Sequence, residues 1–164
     1  MTGEEVLFIL LKVLAVLVLV GLNGFFVAAE FALVKVRDTQ LQPLIAQGNR
    51  RARMAQHILH NLDAYLSAAQ LGITLASLAL GWIGEPIFEA LLRPVFGWLG
   101  WTGDELERVR SGIAFAVGFS VITFLHIVAG EQAPKSLAIK RPLEGALWVA
   151  YPLRWFYVLA YPFI

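Results

Sequence analysis

The sequence predicts an all-α integral membrane domain: three transmembrane helices followed by a juxtamembrane re-entrant helical hairpin. Three observations lead there. Of the 164 residues, 59% are hydrophobic and 15% charged, against roughly 45–50% and about 25% in ordinary soluble domains. Three apolar runs approach or exceed the ~20 helical residues needed to cross a hydrocarbon core of about 30 Å. Lys and Arg are concentrated after the first and third runs, the asymmetry expected of an oriented membrane protein.

The first run, about 6–34, is interrupted only by Lys12, Asn23 and Glu30. It is too long for a signal peptide, and no small-residue cleavage site follows a short apolar core. The next stretch, "DTQLQPLIAQGNRRARMAQHILHNLDAYL", carries Leu41, Leu44 and Ile45, then Met54, Ile58 and Leu62, at three- and four-residue spacing. That spacing predicts an amphipathic helical connector on the cytoplasmic membrane surface, with Arg50, Arg51 and Arg53 available to anionic headgroups. The second run, about 64–83, is rich in Ala, Gly and Ser, which let helices approach closely in lipid. The third, about 112–130, is completed by Gly112 and Gly130. The final segment, about 143–164, is bounded by Pro142 and interrupted by Pro152 and Pro162, with Trp148, Tyr151, Trp155, Tyr157 and Tyr161 scattered through it. Proline breaks helical bonding and Trp and Tyr favour the headgroup level, so a re-entrant or interfacial hairpin is expected rather than a fourth span.

Lys35, Arg37, Arg50, Arg51 and Arg53 follow the first run, and Lys135, Lys140 and Arg141 the third. Between the second and third lie Glu85, Glu89, Asp104, Glu105 and Glu107 with Arg93, Arg108 and Arg110. The positive-inside rule then puts the first connection and the C-terminus in the cytoplasm and the N-terminus outside a multi-pass cell-membrane protein. There is no cysteine, hence neither a disulfide nor a thiolate site. No dense basic face suits nucleic acid. His57, His60 and Asp63 cluster without a nucleophile or ligand spacing, which reads as a solvated helix face rather than an enzyme site.

Polar groups inside the runs carry the functional signal, because an ionisable side chain in a span costs about 2.5–3.5 kcal/mol on insertion scales. Asn23 and Glu30 are two helical turns apart on the first helix. Gln70, Thr74 and Ser77 form a stripe on the second, and His126 and Glu131 close the third. Three facing stripes would enclose a hydrophilic cavity. Carboxylate, amide, hydroxyl and carbonyl oxygens are hard ligands for Mg²⁺, Ca²⁺ or Na⁺. Gly130 and Pro134 bracket a place where helical bonding can fail and carbonyls can turn inward, as in the broken helices of transporters.

Each residue also has a structural role open to it. Thr74 and Ser77 can bond back to their own helix, and Asn23 and Gln70 can pair across a helix interface. His126 can be a hydrogen-bonded interior residue. Glu30 can pair with Lys35 or Arg37, and Glu131 with Lys135.

"NGFFVAAEFALVKVR" (Asn23–Arg37), "YLSAAQLGITLASLALGWIGEP" (Tyr65–Pro86) and "HIVAGEQAPKSLAI" (His126–Ile139) occur in this order. With them the chain resembles the transmembrane domain of the CorC/CNNM (cyclin M) magnesium transporter family over most of its length. The resemblance implies a homodimer of three-span domains with a juxtamembrane hairpin. It also implies Mg²⁺ transport, generally efflux, coupled to Na⁺ entry. A cytosolic pair of CBS domains that bind ATP, and a further small domain, belong to the family and lie outside these 164 residues. The chain thus reads, over 1–164, as an isolated membrane domain. Where many relatives have "FFSGSE" this chain has Val27, Ala28 and Ala29, and where others carry "GNN" it has Gly72, Ile73 and Thr74; backbone carbonyls and Asn23 then substitute for lost side-chain ligands. The expected cation site comprises Asn23 with a carbonyl near Ala28, Gln70 or Thr74, and Gly130 with Glu131. Glu30 stands at its rim or in a Na⁺ site. The function alternative to transport is a regulatory membrane protein that binds Mg²⁺ without carrying it.

Overall fold

The computed structural model describes residues 3–100 and 106–164, without the side chains of Glu5, residues 84–91, Arg93 and Pro94. The first run folds as one helix, α1 (Gly3–Lys35). After Arg37, whose backbone N–H donates to Gln40 Oε1 at 3.0 Å, come α2 (Asp38–Ala46) and α3 (Arg50–Leu59). Gly48 sits between them with a φ of +84°, a left-handed conformation that glycine adopts without a Cβ penalty. Asn49 then caps α3, its Oδ1 accepting from the N–H groups of Arg51 and Ala52, as a short acceptor at an N-cap should.

The second run opens α4 (Leu62–Trp98), of which Leu62–Ile83 is long and apolar enough to cross a membrane. The third is a longer rod than expected from residues 112–130. α5 (Glu107–Leu125) passes into a π-helical turn (His126–Gln132) and then α6 (Ala133–Lys140), and Glu107–Lys140 as a whole has the length and apolarity to cross. Of the acidic groups expected on the outer connection, Asp104 and Glu105 lie outside the described residues, as do the side chains of Glu85 and Glu89.

Residues 143–164 do not form a hairpin. They lie in one helix, α7 (Pro142–Ala160), closed by a single 3₁₀ turn (Tyr161–Phe163). Pro142 occupies the first turn, where a missing N–H is harmless, and the chain breaks before it at Arg141. An interior proline costs a helix ~3 kcal/mol, yet Pro152 is passed over because Val149, Ala150 and Leu153, on both sides of it, are fully buried. Nor is the α2–α3 segment a connector resting on lipid alone. Leu41, Ala52, Ala55 and Ile58 are fully buried in one cluster with Leu33 of α1 and Ala146, Val149 and Leu153 of α7.

α1 is the hub, and glycines set how closely its neighbours approach. A Cβ at Gly72 of α4 would fall 2.6 Å from the Phe26 ring, and one at Gly145 of α7 would lie 2.9 Å from Ala32 Cβ. On α1 itself, a Cβ at Gly24 would meet Pro134 Cγ at 2.9 Å. Such small-residue contacts bring backbones together where lipid supplies no hydrophobic drive.

Candidate metal site

Pro134 explains the local structure of the third span. Having no N–H, it cannot donate to the carbonyl four residues back, which belongs to Gly130, and its ring crowds that carbonyl. The chain responds with the π-helical turn His126–Gln132, a rare form found mostly as single turns and frequently at functional sites. Asn23 of α1, only 1% exposed, donates from Nδ2 to the Gly130 oxygen at 3.0 Å. An added Cβ at Gly130 would lie 3.3 Å from both Asn23 Nδ2 and His126 Cδ2, so a larger residue would press on this contact.

The other end of the Asn23 amide is occupied as well. Ser77 of α4 donates to Asn23 Oδ1 at 3.3 Å, and its Oγ is 3.2 Å from His126 Nε2. His126 Nε2 is in turn 3.4 Å from Glu131 Oε1. Ser77 Oγ and Glu131 Oε1 thus both face His126 Nε2. The chain of contacts runs Glu131, His126, Ser77, Asn23, Gly130, across three helices. Among the described residues no buried side-chain polar atom lacks a partner.

Of the residues expected at a cation site, the structure brings Asn23, Gly130 and Glu131 together. Ala28 and Glu30 are half-buried further along α1. Gln70 and Thr74 are exposed, and Thr74 Oγ1 donates to the Gln70 carbonyl of its own helix at 2.9 Å. Lys135, the other partner open to Glu131, holds its ammonium 4.5 Å from the centroid of the Phe31 ring.

Ser77 and His126 were visible in the sequence as polar interruptions but not as members of this network. The missing signal was register. Phe26 meets Gly72, Asn23 meets Ser77, and Val20 clusters with Leu80. α1 and α4 therefore run antiparallel, and Ser77, not Thr74, is level with Asn23. The π turn supplies the second part. It brings residues five apart onto one face, as four apart are in an α-helix, and so sets His126 beside Glu131.

Hard oxygens suited to a small divalent cation are concentrated here: the Glu131 carboxylate, the Gly130 and Asn23 carbonyls and the Ser77 hydroxyl. No cluster of three or more His, Cys, Asp or Glu occurs among the described residues, so any such ion would need backbone and neutral ligands. To bind one, Asn23 Oδ1 would exchange the Ser77 proton for the cation.

The chain is 47% identical over 156 residues to UPF0053 protein YugS of Bacillus subtilis (strain 168), covering 95% of this chain and 35% of that protein. It is 50% identical over 147 residues to UPF0053 protein YhdT of the same strain, covering 90% and 31%. With UPF0053 protein sll0260 of Synechocystis sp. it shares 33% identity over 145 residues, covering 85% and 30%. The chain thus spans about a third of the length of these curated relatives. Residues 14–164 match the model of the cyclin M transmembrane N-terminal domain. That match takes in all three helices of the Asn23–Ser77–His126–Glu131 network, and the chain belongs to the cyclin M (CorC/CNNM) transmembrane-domain family.

Proposed function

We propose that this domain carries Mg²⁺ across the membrane, as efflux coupled to Na⁺ entry, through a site centred on Asn23, Gly130 and Glu131. The observation that carries this is the meeting, inside the apolar rods, of a buried amide and a carboxylate at a carbonyl, that of Gly130, to which Pro134 has no N–H to donate. Dehydrating Mg²⁺ requires several oxygens and at least one negative charge; Glu131 provides the charge. Polar groups at this depth are costly and are candidates for function by default. Gln70 and Thr74, exposed on a single copy, complete the shell where a second copy covers them in a symmetric homodimer. Ala28 contributes a carbonyl, and Glu30 lies at the rim or in a Na⁺ site.

Glu131→Gln keeps the shape and removes the charge. It is expected to lower Mg²⁺ affinity, measured by calorimetry on the purified domain, by tenfold or more, about 1.4 kcal/mol, with an unchanged melting temperature. Undiminished affinity in this variant would sink the assignment of the site. Liposome flux then separates transport from sensing: Mg²⁺ bound without Mg²⁺ flux supports a regulatory protein instead.

The cytoplasmic placement of α2 and α3 is part of the same proposal, from the Lys and Arg asymmetry. Arg51→Cys is expected to resist a membrane-impermeant thiol reagent in intact cells and to react after permeabilisation. Labelling in intact cells reverses the orientation.

A further inference from the structure

We infer that the groove where α1 ends and α2 and α7 begin is a binding site for the headgroup of an anionic phospholipid. It stands apart from the cation site proposed above and is built from different residues.

The groove has a volume of about 530 Å³ and is lined by Val34, Lys35, Arg37, Thr39, Gln40 and Pro142. Lys35 and Arg37 are both exposed, and among the described residues neither pairs with a carboxylate. The acids close by in the chain are engaged elsewhere. Asp38 accepts from Gln42 and Gln56, and Glu144 pairs with Arg141 at 3.4 Å. Gln40 Oε1 accepts the Arg37 backbone N–H at 3.0 Å. Its NH₂ group, like the Thr39 hydroxyl, donates to no protein group among the described residues. Two cations and two uncommitted neutral donors around one cavity suit an anion with several acceptor oxygens, such as a phosphodiester.

Depth decides between a lipid and a soluble anion. Lys35 is the last residue of the stretch Val6–Lys35, which is long and apolar enough to cross a membrane. The groove therefore opens at headgroup level. Val34, 60% exposed, and Pro142 give it an apolar edge beside the two cations. A free phosphate has no use for that edge. A phospholipid does, because its glycerol and first acyl carbons can lie on Val34 while its phosphate meets Lys35 and Arg37. Basic pockets beside membrane helices are a recurrent means of holding anionic headgroups. A headgroup seated here touches α1, α2 and α7 together, so binding favours the folded state.

The arginines of α3 provide a control of equal charge. Arg50 and Arg51 are exposed beyond the far end of α2 and line no part of the groove. They lie about 13 Å from it along the α2 axis, further than the screening length of roughly 8 Å at physiological salt.

The test titrates the purified 164-residue domain in neutral detergent with phosphatidylglycerol, and native mass spectrometry counts the bound lipid. Phosphatidylglycerol is expected to bind about tenfold or more tighter than phosphatidylcholine and to raise the melting temperature. Each Lys or Arg beside an anionic headgroup is worth roughly fivefold in affinity, about 1 kcal/mol. Lys35→Gln with Arg37→Gln should thus weaken phosphatidylglycerol binding about 25-fold. Arg50→Gln with Arg51→Gln should weaken it less than about threefold. Lys35→Arg with Arg37→Lys keeps both charges and should stay within about threefold of the parent. Equal losses in the two glutamine pairs overturn the inference, since they show diffuse surface attraction instead of a site. Equal affinity of the parent for the two lipids also overturns it, and that comparison requires no variant to fold. Binding of the water-soluble headgroup alone, glycerophosphoglycerol, as tightly as the whole lipid overturns it in favour of a soluble anion. All of these outcomes are independent of whether the domain binds Mg²⁺.

Discussion

The two halves of this molecule are built on different physical terms. In one, the C-terminal half of α1, the start of α4, α2, α3 and α7 surround a closed core in which Leu33, Leu41, Ile58, Val149 and Leu153 are at most 1% exposed. In the other, the N-terminal half of α1 meets the middle of α4 and the third span around a small cluster, whose buried members among the described residues are Val16, Val20 and Leu80. There Leu10, Leu14, Leu17, Phe115 and Phe119 are each more than half exposed. Water would not tolerate that second surface, whereas acyl chains are as apolar as leucine and supply no drive to bury it. The first half therefore folds by the hydrophobic effect as a soluble domain does. The second leaves most of its apolar side chains to lipid. Asn23 and Gly130 lie at the seam, where a packed core gives way to lipid-facing helices.

The largest expected effect tests that contrast directly. Leu41→Ala removes a fully buried side chain from the closed core, and large-to-small changes of this kind cost about 2–5 kcal/mol. Leu14→Ala trims a side chain that is 56% exposed and should leave stability within experimental error in detergent or nanodiscs. Thermal unfolding of the two variants beside the parent measures both. Comparable destabilisation would mean that the lipid-facing half is packed in a way the single chain does not reveal, and the contrast would fall.

Asn23→Ala probes the seam and should be intermediate. It strands the Gly130 carbonyl and removes the acceptor of Ser77. Leaving a buried polar group unpaired costs roughly 1–3 kcal/mol. The same variant deletes one neutral ligand of the proposed cation site, so on that proposal the stabilisation expected from added Mg²⁺ in a melting experiment should shrink. A variant that melts like the parent, with the same response to Mg²⁺, assigns Asn23 to neither task.

Much of the architecture was legible in the sequence. The spans were, because three apolar runs of near-membrane length have few soluble alternatives. The helices of the first connection were too, from the spacing of Leu41, Leu44, Ile45, Met54, Ile58 and Leu62. What they pack against was not: an amphipathic pattern gives a face without naming its partner, and headgroups and α7 accept the same face. The proline-rich C-terminal segment misled because proline was weighed as a local breaker, while the burial that offsets Pro152 comes from α1 and α3. At the site, Asn23, Gly130 and Glu131 stood out by chemistry. Ser77 and His126 needed the antiparallel register set where Phe26 lies against Gly72, and the five-residue repeat of a π turn. Neither is encoded in local periodicity, since both depend on how one backbone fits another.

The smallest expected effect lies at the margin of the closed half and is read through pH. Asp38 links α2 to α3: its Oδ1 accepts from Gln56 Nε2 at 2.8 Å and its Oδ2 from Gln42 Nε2 at 2.9 Å. The Gln56 bond first, then the Gln42 bond, hold its carboxyl below the ordinary 3.8. A carboxylate depressed in the folded state binds protons more readily when unfolded, so folding gains stability as pH rises through this range. The contribution is fully present above 3.8 and disappears as pH falls through the lower folded value. Because Asp38 is solvated, the effect should be slight. The predicted result is a melting temperature for the parent slightly above that of Asp38→Asn near neutrality, with the gap closing as pH is lowered well below 3.8. A gap of constant size down to that pH would assign the difference to the lost geometry of one oxygen rather than to charge. No gap at neutral pH would show that the closed half holds α2 on α3 by Leu41, Ala52 and Ile58 alone, which makes its contrast with the lipid-solvated half sharper still.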